Sequence, residues 1–414
     1  MQIGISINRI KIYLCPAYES PRFVQKRGDS HISTTDTGLY WAKMKQGENL
    51  NMILKAILSN RTHPEYGQAT IPLPIPDSEY DHTITLLEAI EIGSPTARDC
   101  RADQLDSDYP VLNRLAAQSV NLDELDYLAK RLESFCESEK GQFQAMASKL
   151  RLSDIKDFIN LTFCCQEATV ITDFSDLERI GKNHSLTING GMMLMEELNQ
   201  VGGLAVALDL IQSGAGEVTP YGVVYDNGMK LEQIYAGASF PQYLYKDPLL
   251  TLGVPIQPEI DGPAETAWLY LPALGQQIVR TLRRIGITNS DAAYYIEDST
   301  LPPKIFEIPE RPDDAIPELN RLCRVMDGLG AENLTKLEAV VMMARPKEAG
   351  EIRHLAENLD QFDFVPGVQS PEQNSQVNKL GYAAYHGSST LEELMQDDPS
   401  EPRQQEPELG GICS

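Results

Sequence analysis

An amphipathic helical pattern that begins at Asn121 constrains the fold of this 414-residue chain more than any other feature. Its apolar residues recur at helical spacing and fall on one face. They are Leu122, Leu125, Leu128, Ala129, Leu132, Phe135 and Cys136. Asn121 is a typical N-cap residue, and Glu124 three positions later predicts a capping box. The pattern therefore predicts an amphipathic helix whose apolar face packs against a core.

Other segments carry shorter signals for helices and strands. Helical spacing predicts further helices at Leu50–Leu58, Thr85–Ile92, Asp154–Leu161, Met195–Asn199, Leu204–Ile211, Gln276–Ile285 and Leu391–Met395. Strand-like runs occur at Ile10–Leu14, Ala168–Thr172, Gly222–Tyr225, Met229–Tyr235 and Trp268–Pro272, with a Pro-broken extended stretch at Ile71–Pro76. Acidic runs typical of turns occur at Asp103–Pro110 and Ile296–Pro303, and a Pro-rich run typical of a linker occurs at Asp247–Pro263.

One turn signal is stronger than the others. Asp226-Asn227-Gly228 supplies residues that tolerate positive φ, and it lies between the strand-like runs Gly222–Tyr225 and Met229–Tyr235. Such a tripeptide between two strand-like runs predicts a tight hairpin.

A similar order of signals returns in the second half of the chain. Leu112–Leu115 and Leu319–Leu322 share the tetrapeptide LNRL, and Asn121–Leu125 (NLDEL) is similar to Asn333–Leu337 (NLTKL). We interpret this order as a divergent duplication, with coincidence as the alternative. The predicted fold class is α+β, an elongated multi-domain chain of small α+β modules with a divergent internal repeat.

The same signals divide the chain into five predicted segments. They are a divergent N-terminal segment with a strand and a helix (1–78), a helical module (79–174), an α+β module with a β-hairpin (175–265), a second copy of the helical module (266–366) and an acidic, largely disordered tail (367–414).

The chain has a formal net charge of -25, and the acidity begins after a nearly neutral first 80 residues. A negative surface repels nucleic acid and anionic membranes, so the charge favours a protein partner with a basic surface, or simple solubility. The seven cysteines form no CxxC pair, which is typical of reduced thiols. With no secretory pattern at the start and no run long enough to span a membrane, we expect a cytoplasmic protein.

Motifs that carry catalysis are missing from the sequence. No HExxH pair, phosphate-binding loop, GxGxxG motif or GxSxG elbow occurs, so we expect no enzyme activity, no metal and no cofactor. Cys164-Cys165 with His184 forms the one conceivable nucleophile and base. Apolar residues flank these cysteines, and burial raises the pKa of a thiol and makes it inert.

Several longer runs resemble a known family. The runs HTITLLEAIEIGSPTARDC, VNLDELDYLAKRLESF, IKDFINLTFCCQEATVITDFSDLERIG, TPYGVVYDNGMKLEQIY, WLYLP, HLAENLDQFDF and YHGSSTLEELMQDDP are similar to the long ArdA-type antirestriction proteins carried by mobile genetic elements of gut Firmicutes. The resemblance extends from about Ile71 to about Pro399, and VNLDELDYLAKRLE looks like the antirestriction motif region. Residues 1–70 match the usual opening of the family poorly.

The resemblance implies a DNA mimic, since ArdA proteins are curved α+β dimers that occupy the DNA-binding groove of type I restriction–modification enzymes with external carboxylates. For this chain it implies a non-enzymatic, cytoplasmic inhibitor of a host DNA-defence complex, with no direct nucleic acid or membrane partner. It also implies a homodimer like those of the family. The predicted partner-binding carboxylates are Asp103, Asp106, Asp108, Asp123, Glu124, Asp126, Glu133 and Glu137, with Glu297, Asp298, Asp313, Asp314 and Glu318 as their counterparts in the second repeat.

Three alternatives remain open on the same residues. The same scaffold could inhibit another nucleic-acid-guided defence nuclease, as anti-CRISPR proteins do. The chain could be an enzyme that uses Cys165 and His184, or an acidic adaptor without mimicry.

Overall fold

The structure is a computed structural model that describes residues 52–256, 266–288, 292–302, 305, 315–367 and 381–396. The described residues form an α+β chain, which confirms the predicted fold class, and they contain four small antiparallel sheets. Contacts divide the chain into two compact units, which meet in sequence at Tyr235 and Ala236. The predicted strand Ile10–Leu14, Asp313, Asp314 and the tail beyond residue 396 lie outside the described residues.

The elements follow one another in a mixed order. The strands are β1 (Leu54–Asn60), β2 (Gln68–Leu73), β3 (Cys100–Ser107), β4 (Ser119–Val120), β5 (Thr169–Ile171), β6 (Glu217–Thr219), β7 (Gly222–Tyr225), β8 (Leu250–Pro255), β9 (Thr266–Leu271), β10 (Tyr295–Ser299), β11 (Phe362–Pro366) and β12 (Gly381–Tyr385). The α-helices are α1 (Asp77–Ala89), α2 (Leu122–Glu133), α3 (Glu137–Lys149), α4 (Ile155–Leu161), α5 (Leu177–Ile188), α6 (Met195–Gln200), α7 (Gly203–Gln212), α8 (Gly275–Arg284), α9 (Ile316–Asp327), α10 (Ala331–Ala344), α11 (Ala349–Glu357) and α12 (Leu391–Leu394).

Unit 1 begins with a sheet in the order β2-β1-β3-β4. The helix predicted at Leu50–Leu58 is wrong, because most of this segment is strand β1. The side chains of Leu54, Ala56 and Leu58, two residues apart, point into the hydrophobic core. The turn predicted at Asp103–Pro110 is also wrong over most of its length, where β3 pairs along β1. A register shift in this pairing interrupts the alternation of buried and exposed side chains along β3, which is the pattern that would identify a strand in the sequence.

Helices α1 and α2 pack on β2 of that sheet, whereas α3 packs on β5, β6 and β7. α2 begins and ends close to the predicted bounds, and its leucines are almost fully buried. The Oδ1 atom of Asn121 accepts a hydrogen bond from the Glu124 backbone N–H at 3.1 Å, which confirms the predicted N-cap. The ring of Phe143 on α3 meets the rings of Tyr109 and Phe158 at centroid distances of 5.9 and 6.1 Å, which fills the core between the helices.

The last part of unit 1 holds the sheet β5-β7-β6 and the helices α5 to α7. The turn predicted at Asp226–Gly228 is present, with positive φ at Asn227 and Gly228, but the hairpin is wrong because Met229–Tyr235 is no strand. Asn160 explains the difference. Its side chain accepts from the Tyr235 N–H at 2.7 Å and donates to the Tyr235 carbonyl at 3.1 Å, so a side chain takes up the groups that a strand partner would use. β7 instead pairs with β6, the strand before it.

Unit 2 holds the sheet β10-β8-β9, the helices α8 to α11 and the strand pair β11-β12. The predicted linker Asp247–Pro263 is wrong where it contains β8, the central strand of this sheet. The turn predicted at Ile296–Pro303 is wrong where β10 pairs with β8, again across a register shift. The predicted boundary between residues 265 and 266 would cut the sheet between β8 and β9.

The two LNRL tetrapeptides occupy different kinds of structure. The first lies in a 3-10 turn, Pro110–Leu115, and the second lies within α9. The shared tetrapeptide therefore does not mark equivalent positions in the fold. In the part of the chain that the structure describes, no helix is both long enough and apolar enough to cross a membrane.

Candidate functional site

The predicted carboxylates differ widely in exposure. Asp106, Asp108, Glu137, Glu297 and Asp298 are exposed. The partly buried group consists of Asp103, Asp123, Glu133 and Glu318, and the buried group of Glu124 and Asp126. Asp313 and Asp314 are outside the described residues.

Glu124 belongs to a network inside unit 1. Its carboxylate lies 3.2 Å from the Arg98 guanidinium and accepts the Tyr235 hydroxyl at 3.0 Å. Arg98 also pairs with Asp154 at 3.0 Å, and the pKa of Arg98 is raised, first by that hydrogen bond. Glu124 is only 3% exposed and is paired with Arg98, so it presents little charge at the surface. The prediction that it faces a partner is not supported by this geometry.

Asp126 is likewise used within unit 1. One of its oxygens accepts the Ile75 backbone N–H at 2.7 Å, and the other lies 2.7 Å from the Lys130 ammonium. Burial alone would lower the pKa of Lys130, but the charges of Asp126, Asp77 and Asp123 outweigh burial and raise it. Asp126 therefore fixes the backbone that follows β2 and is not available to a partner.

The strand carboxylates of unit 1 lie among cations. Asp103 is 3.3 Å from Arg101 and accepts a hydrogen bond from Gln68 at 2.9 Å. Asp106 stands opposite Lys55 in the register of β1 and β3. The outer face of this sheet therefore carries mixed charge and no row of carboxylates.

Glu318 on α9 is held in an ion-pair network in unit 2. It lies 2.6 Å from Arg321 and 2.7 Å from Arg353, which also pairs with Glu357. Its charge is balanced in the same way as that of Glu124.

One acidic cluster does form at the surface of unit 1, around Tyr109. Burial raises the pKa of Tyr109, and the charges of Glu137, Glu139 and Asp108 raise it further. Lys140 is the cation in this cluster, 3.7 Å from Asp108 and 5.4 Å from the centre of the Tyr109 ring. The cluster therefore keeps an excess of negative charge at exposed positions.

Glu139 was not among the predicted residues of this cluster. It accepts the Cys136 backbone N–H at 2.9 Å and so caps the start of α3. The spacing of Cys136 and Glu139, three residues apart at a helix start, is the signal that could have located it.

Cys164 and Cys165 lack the lowered pKa of an activated thiol, and His184 has a different hydrogen-bond partner. Cys165 is fully buried, and burial raises its pKa well above the ordinary value for a thiol. Burial, followed by the charges of Glu167 and Glu232, raises the pKa of Cys164 to about 11. The ring of His184 instead bonds the hydroxyl of Thr169 at 2.8 Å. A thiol with so high a pKa is a poor nucleophile at neutral pH.

No group of three or more metal-binding side chains comes together among the described residues. Comparison of the chain with family models, with curated proteins and with solved structures finds no match. The assignment of a function therefore depends on the charge, burial and geometry of the chain's own residues.

Proposed function

We propose that this protein is a non-enzymatic, DNA-mimicking inhibitor of a type I restriction–modification enzyme, of the ArdA type that its sequence resembles. The observation that carries the proposal is the surface cluster around Tyr109, formed by the exposed Asp108 and Glu137 with the half-buried Glu139, on a chain of net charge -25. These carboxylates would stand where a bound duplex places its phosphates.

The physical argument is electrostatic. Duplex DNA carries one negative charge per about 1.7 Å of its axis, and the Lys and Arg side chains of DNA-binding grooves neutralise these phosphates. A protein that presents carboxylates to such a groove gains from charge complementarity and is steered toward it in solution. Because the half-buried Lys140 lies in the cluster, we expect a local field weaker than that of DNA itself.

An inhibitor that acts by occupancy needs no nucleophile. Cys164 and Cys165 have raised pKa values, which supports binding as the mode of action over the alternative enzyme. We expect the double substitution Cys165→Ala and His184→Ala to leave inhibition at the wild-type level. Loss of inhibition in a variant that keeps the wild-type circular dichroism spectrum would favour the enzyme.

The direct test is inhibition of a purified type I restriction–modification enzyme cleaving unmodified DNA. We expect inhibition that weakens as salt is raised and that added oligonucleotide competes away. The double variant Asp108→Asn, Glu137→Gln should inhibit about fivefold less well, since each exposed charge contributes up to about 1 kcal/mol. Glu79→Gln with Glu88→Gln on α1 is the matched control, because both residues are exposed acids outside the cluster.

Two results would redirect the proposal. Capture of a Cas effector with no effect on the restriction enzyme would favour the anti-CRISPR-like alternative on the same scaffold. Binding that changes neither with salt nor in the Asp108→Asn, Glu137→Gln variant would favour the acidic adaptor. The homodimer that the resemblance implies stays a prediction.

A further inference from the structure

The sheets that begin the two units share their pairing register. In unit 1, the first residue of β1 pairs with Leu73 at the end of β2 and with Ser107 at the end of β3. In unit 2, the first residue of β8 pairs with Leu271 at the end of β9 and with Ser299 at the end of β10. Both serines then accept a backbone N–H two residues later through Oγ, at 2.9 and 3.2 Å.

The segment after the second strand is held in the same way in both units. Two residues beyond the end of β2, the Ile75 N–H donates to Asp126 Oδ1 on α2 at 2.7 Å. Two residues beyond the end of β9, the Ala273 N–H donates to Asn320 Oδ1 on α9 at 2.8 Å. Each acceptor is the fifth residue of its helix. This places α9 in the position that α2 occupies in unit 1.

The helix between the second and third strands ends identically in each unit. At the end of α1 the Ile92 N–H donates to the Leu87 carbonyl at 3.0 Å, and at the end of α8 the Ile287 N–H donates to the Leu282 carbonyl at 3.0 Å. The residue before each of these isoleucines has positive φ. Such a bond closes a helix end of the Schellman type.

Helices α2, α3 and α4 of unit 1 correspond in order to α9, α10 and α11 of unit 2, with no insertion or deletion between their starting residues. Three residues separate α2 from α3, and three separate α9 from α10. Arg151 follows α3 with φ of 54°, and Arg345 follows α10 with φ of 56°. Glu124 and Glu318, each the third residue of its helix, are both paired with arginine. The correspondence therefore includes unusual backbone conformations and carboxylates that are paired with arginine.

The last strand pair completes the correspondence. A Cβ on Gly222, the first residue of β7, would press on the carbonyl oxygen of Ile171 in β5. A Cβ on Gly381, the first residue of β12, would press on the carbonyl oxygen of Val365 in β11 in the same way. Residues 172–221 connect the pair in unit 1, and the shorter run 367–380 connects it in unit 2.

We propose that units 1 and 2 are two copies of one sheet-and-helix module, and that the exposed or half-exposed carboxylates kept in both copies contact the partner. The second clause rests on the proposed function. The matched strand pairs and hydrogen bonds described above, here called the register, align α2 with α9. The shared tetrapeptide would instead align a 3-10 turn with α9. The contacts favour the first alignment, because several hydrogen bonds in one register are stronger evidence than four shared residues.

Among the described residues, the register identifies four pairs of carboxylates outside the core. One pair, Asp154 with Glu348, is set aside because Asp154 forms an ion pair with Arg98 inside unit 1. Three pairs are left. They are Asp106 with Asp298, Glu133 with Asp327, and Asp157 with Glu351.

The register also shows which acids belong to one copy only. Asp108 and Glu137 of the cluster around Tyr109 are among them, since they correspond to Thr300 and Ala331, so that cluster is a contact of unit 1 alone. The acids of α1 are a second such group, and they lie outside the cluster. Glu79, Asp81 and Glu88 on α1 correspond to Leu274, Gln276 and Arg283 at α8.

The test uses the full chain and a purified type I restriction–modification complex. One variant carries Asp106→Asn, Glu133→Gln and Asp157→Asn, and a second carries Asp298→Asn, Asp327→Asn and Glu351→Gln. We expect each to weaken binding by about tenfold, because surface charges set the encounter with a basic partner. The matched control is the variant Glu79→Gln, Asp81→Asn and Glu88→Gln, which should bind as the wild type does.

The outcomes separate the inference from the proposed function. An effect of the first variant without one of the second, or an equal effect of the control, overturns the repeated surface. If the wild type binds no restriction enzyme, the proposed function fails. Amide hydrogen exchange then tests whether the two units are copies of one module. Asp126→Ala should then expose the Ile75 amide to exchange, and Asn320→Ala the Ala273 amide, while protection unchanged in either variant overturns the equivalence.

Discussion

Tyr235 brings a phenol hydroxyl to the buried carboxylate of Glu124, 111 residues away along the chain. We expect Tyr235→Phe to lower the free energy of unfolding by about 1–2 kcal/mol, because Glu124 loses one of its donors while it stays buried. Urea unfolding followed by circular dichroism measures the change. Tyr382→Phe is the control, since that ring is 44% exposed and should leave the midpoint unchanged. Equal midpoints for both variants would contradict the role given to Tyr235.

His184 links stability to pH. Burial lowers its pKa below the ordinary value of about 6.5, so the unfolded chain takes up a proton at a higher pH than the folded protein does. The contribution of neutral His184 is therefore complete above about pH 6.5 and is lost as the pH falls through its folded pKa. Urea midpoints measured from pH 7.5 to pH 5 should fall for the wild type and fall less for His184→Gln. Parallel curves would show that His184 carries no such linkage.

At the scale of elements, two glycines set how closely α5 and α7 approach. A Cβ on Gly181 would overlap the carbonyl oxygen of Gly203, so the helices can cross only where both side chains are absent. We expect Gly181→Ala to cost about 1–3 kcal/mol through overpacking at this crossing.

Gly141 provides a matched comparison for that substitution. It lies within α3, and a Cβ there would meet nothing within 4 Å. Gly141→Ala should therefore stabilise the protein by about 0.5–1 kcal/mol, the ordinary gain in a helix interior. Thermal unfolding of both variants, followed by circular dichroism, measures the two shifts. Shifts in the same direction would contradict the close crossing of α5 and α7.

At the scale of the whole molecule, the charge of -25 opposes the folded state. Carboxylates that repel one another in a compact chain are screened by salt, with a Debye length of about 30 Å at 0.01 M and about 10 Å at 0.1 M. We expect the Tm measured by calorimetry to rise between 0.01 and 0.2 M NaCl, while inhibition of the restriction enzyme weakens over the same range. A Tm that falls with salt would mean that internal ion pairs such as Arg98–Glu124 dominate the net electrostatics.

The candidate site was predictable only in part, and its residues show why. Asp108 and Glu137 were identified as flanking acids, and the structure places both beside Tyr109. Glu124 and Asp126 lie between these two acids in the sequence, yet both are buried. Glu124 is paired with Arg98, and Asp126 accepts a hydrogen bond from the Ile75 backbone N–H. A count of acids along a helix cannot detect this, because the partners come from segments 26 and 51 residues away.

The sequence by itself determined the helices with a strong apolar period, their caps and the tight turns. α2 with its Asn121 cap is the clearest case, since helix hydrogen bonds and capping bonds close within a few residues. Only the tertiary structure decided that Leu54–Asn60 and Leu250–Pro255 are central strands, because a strand exists through partners that are distant in the chain. The same holds for the carboxylates: their number is a property of the sequence, whereas burial and pairing, which set their charge toward a partner, arise only when the units fold.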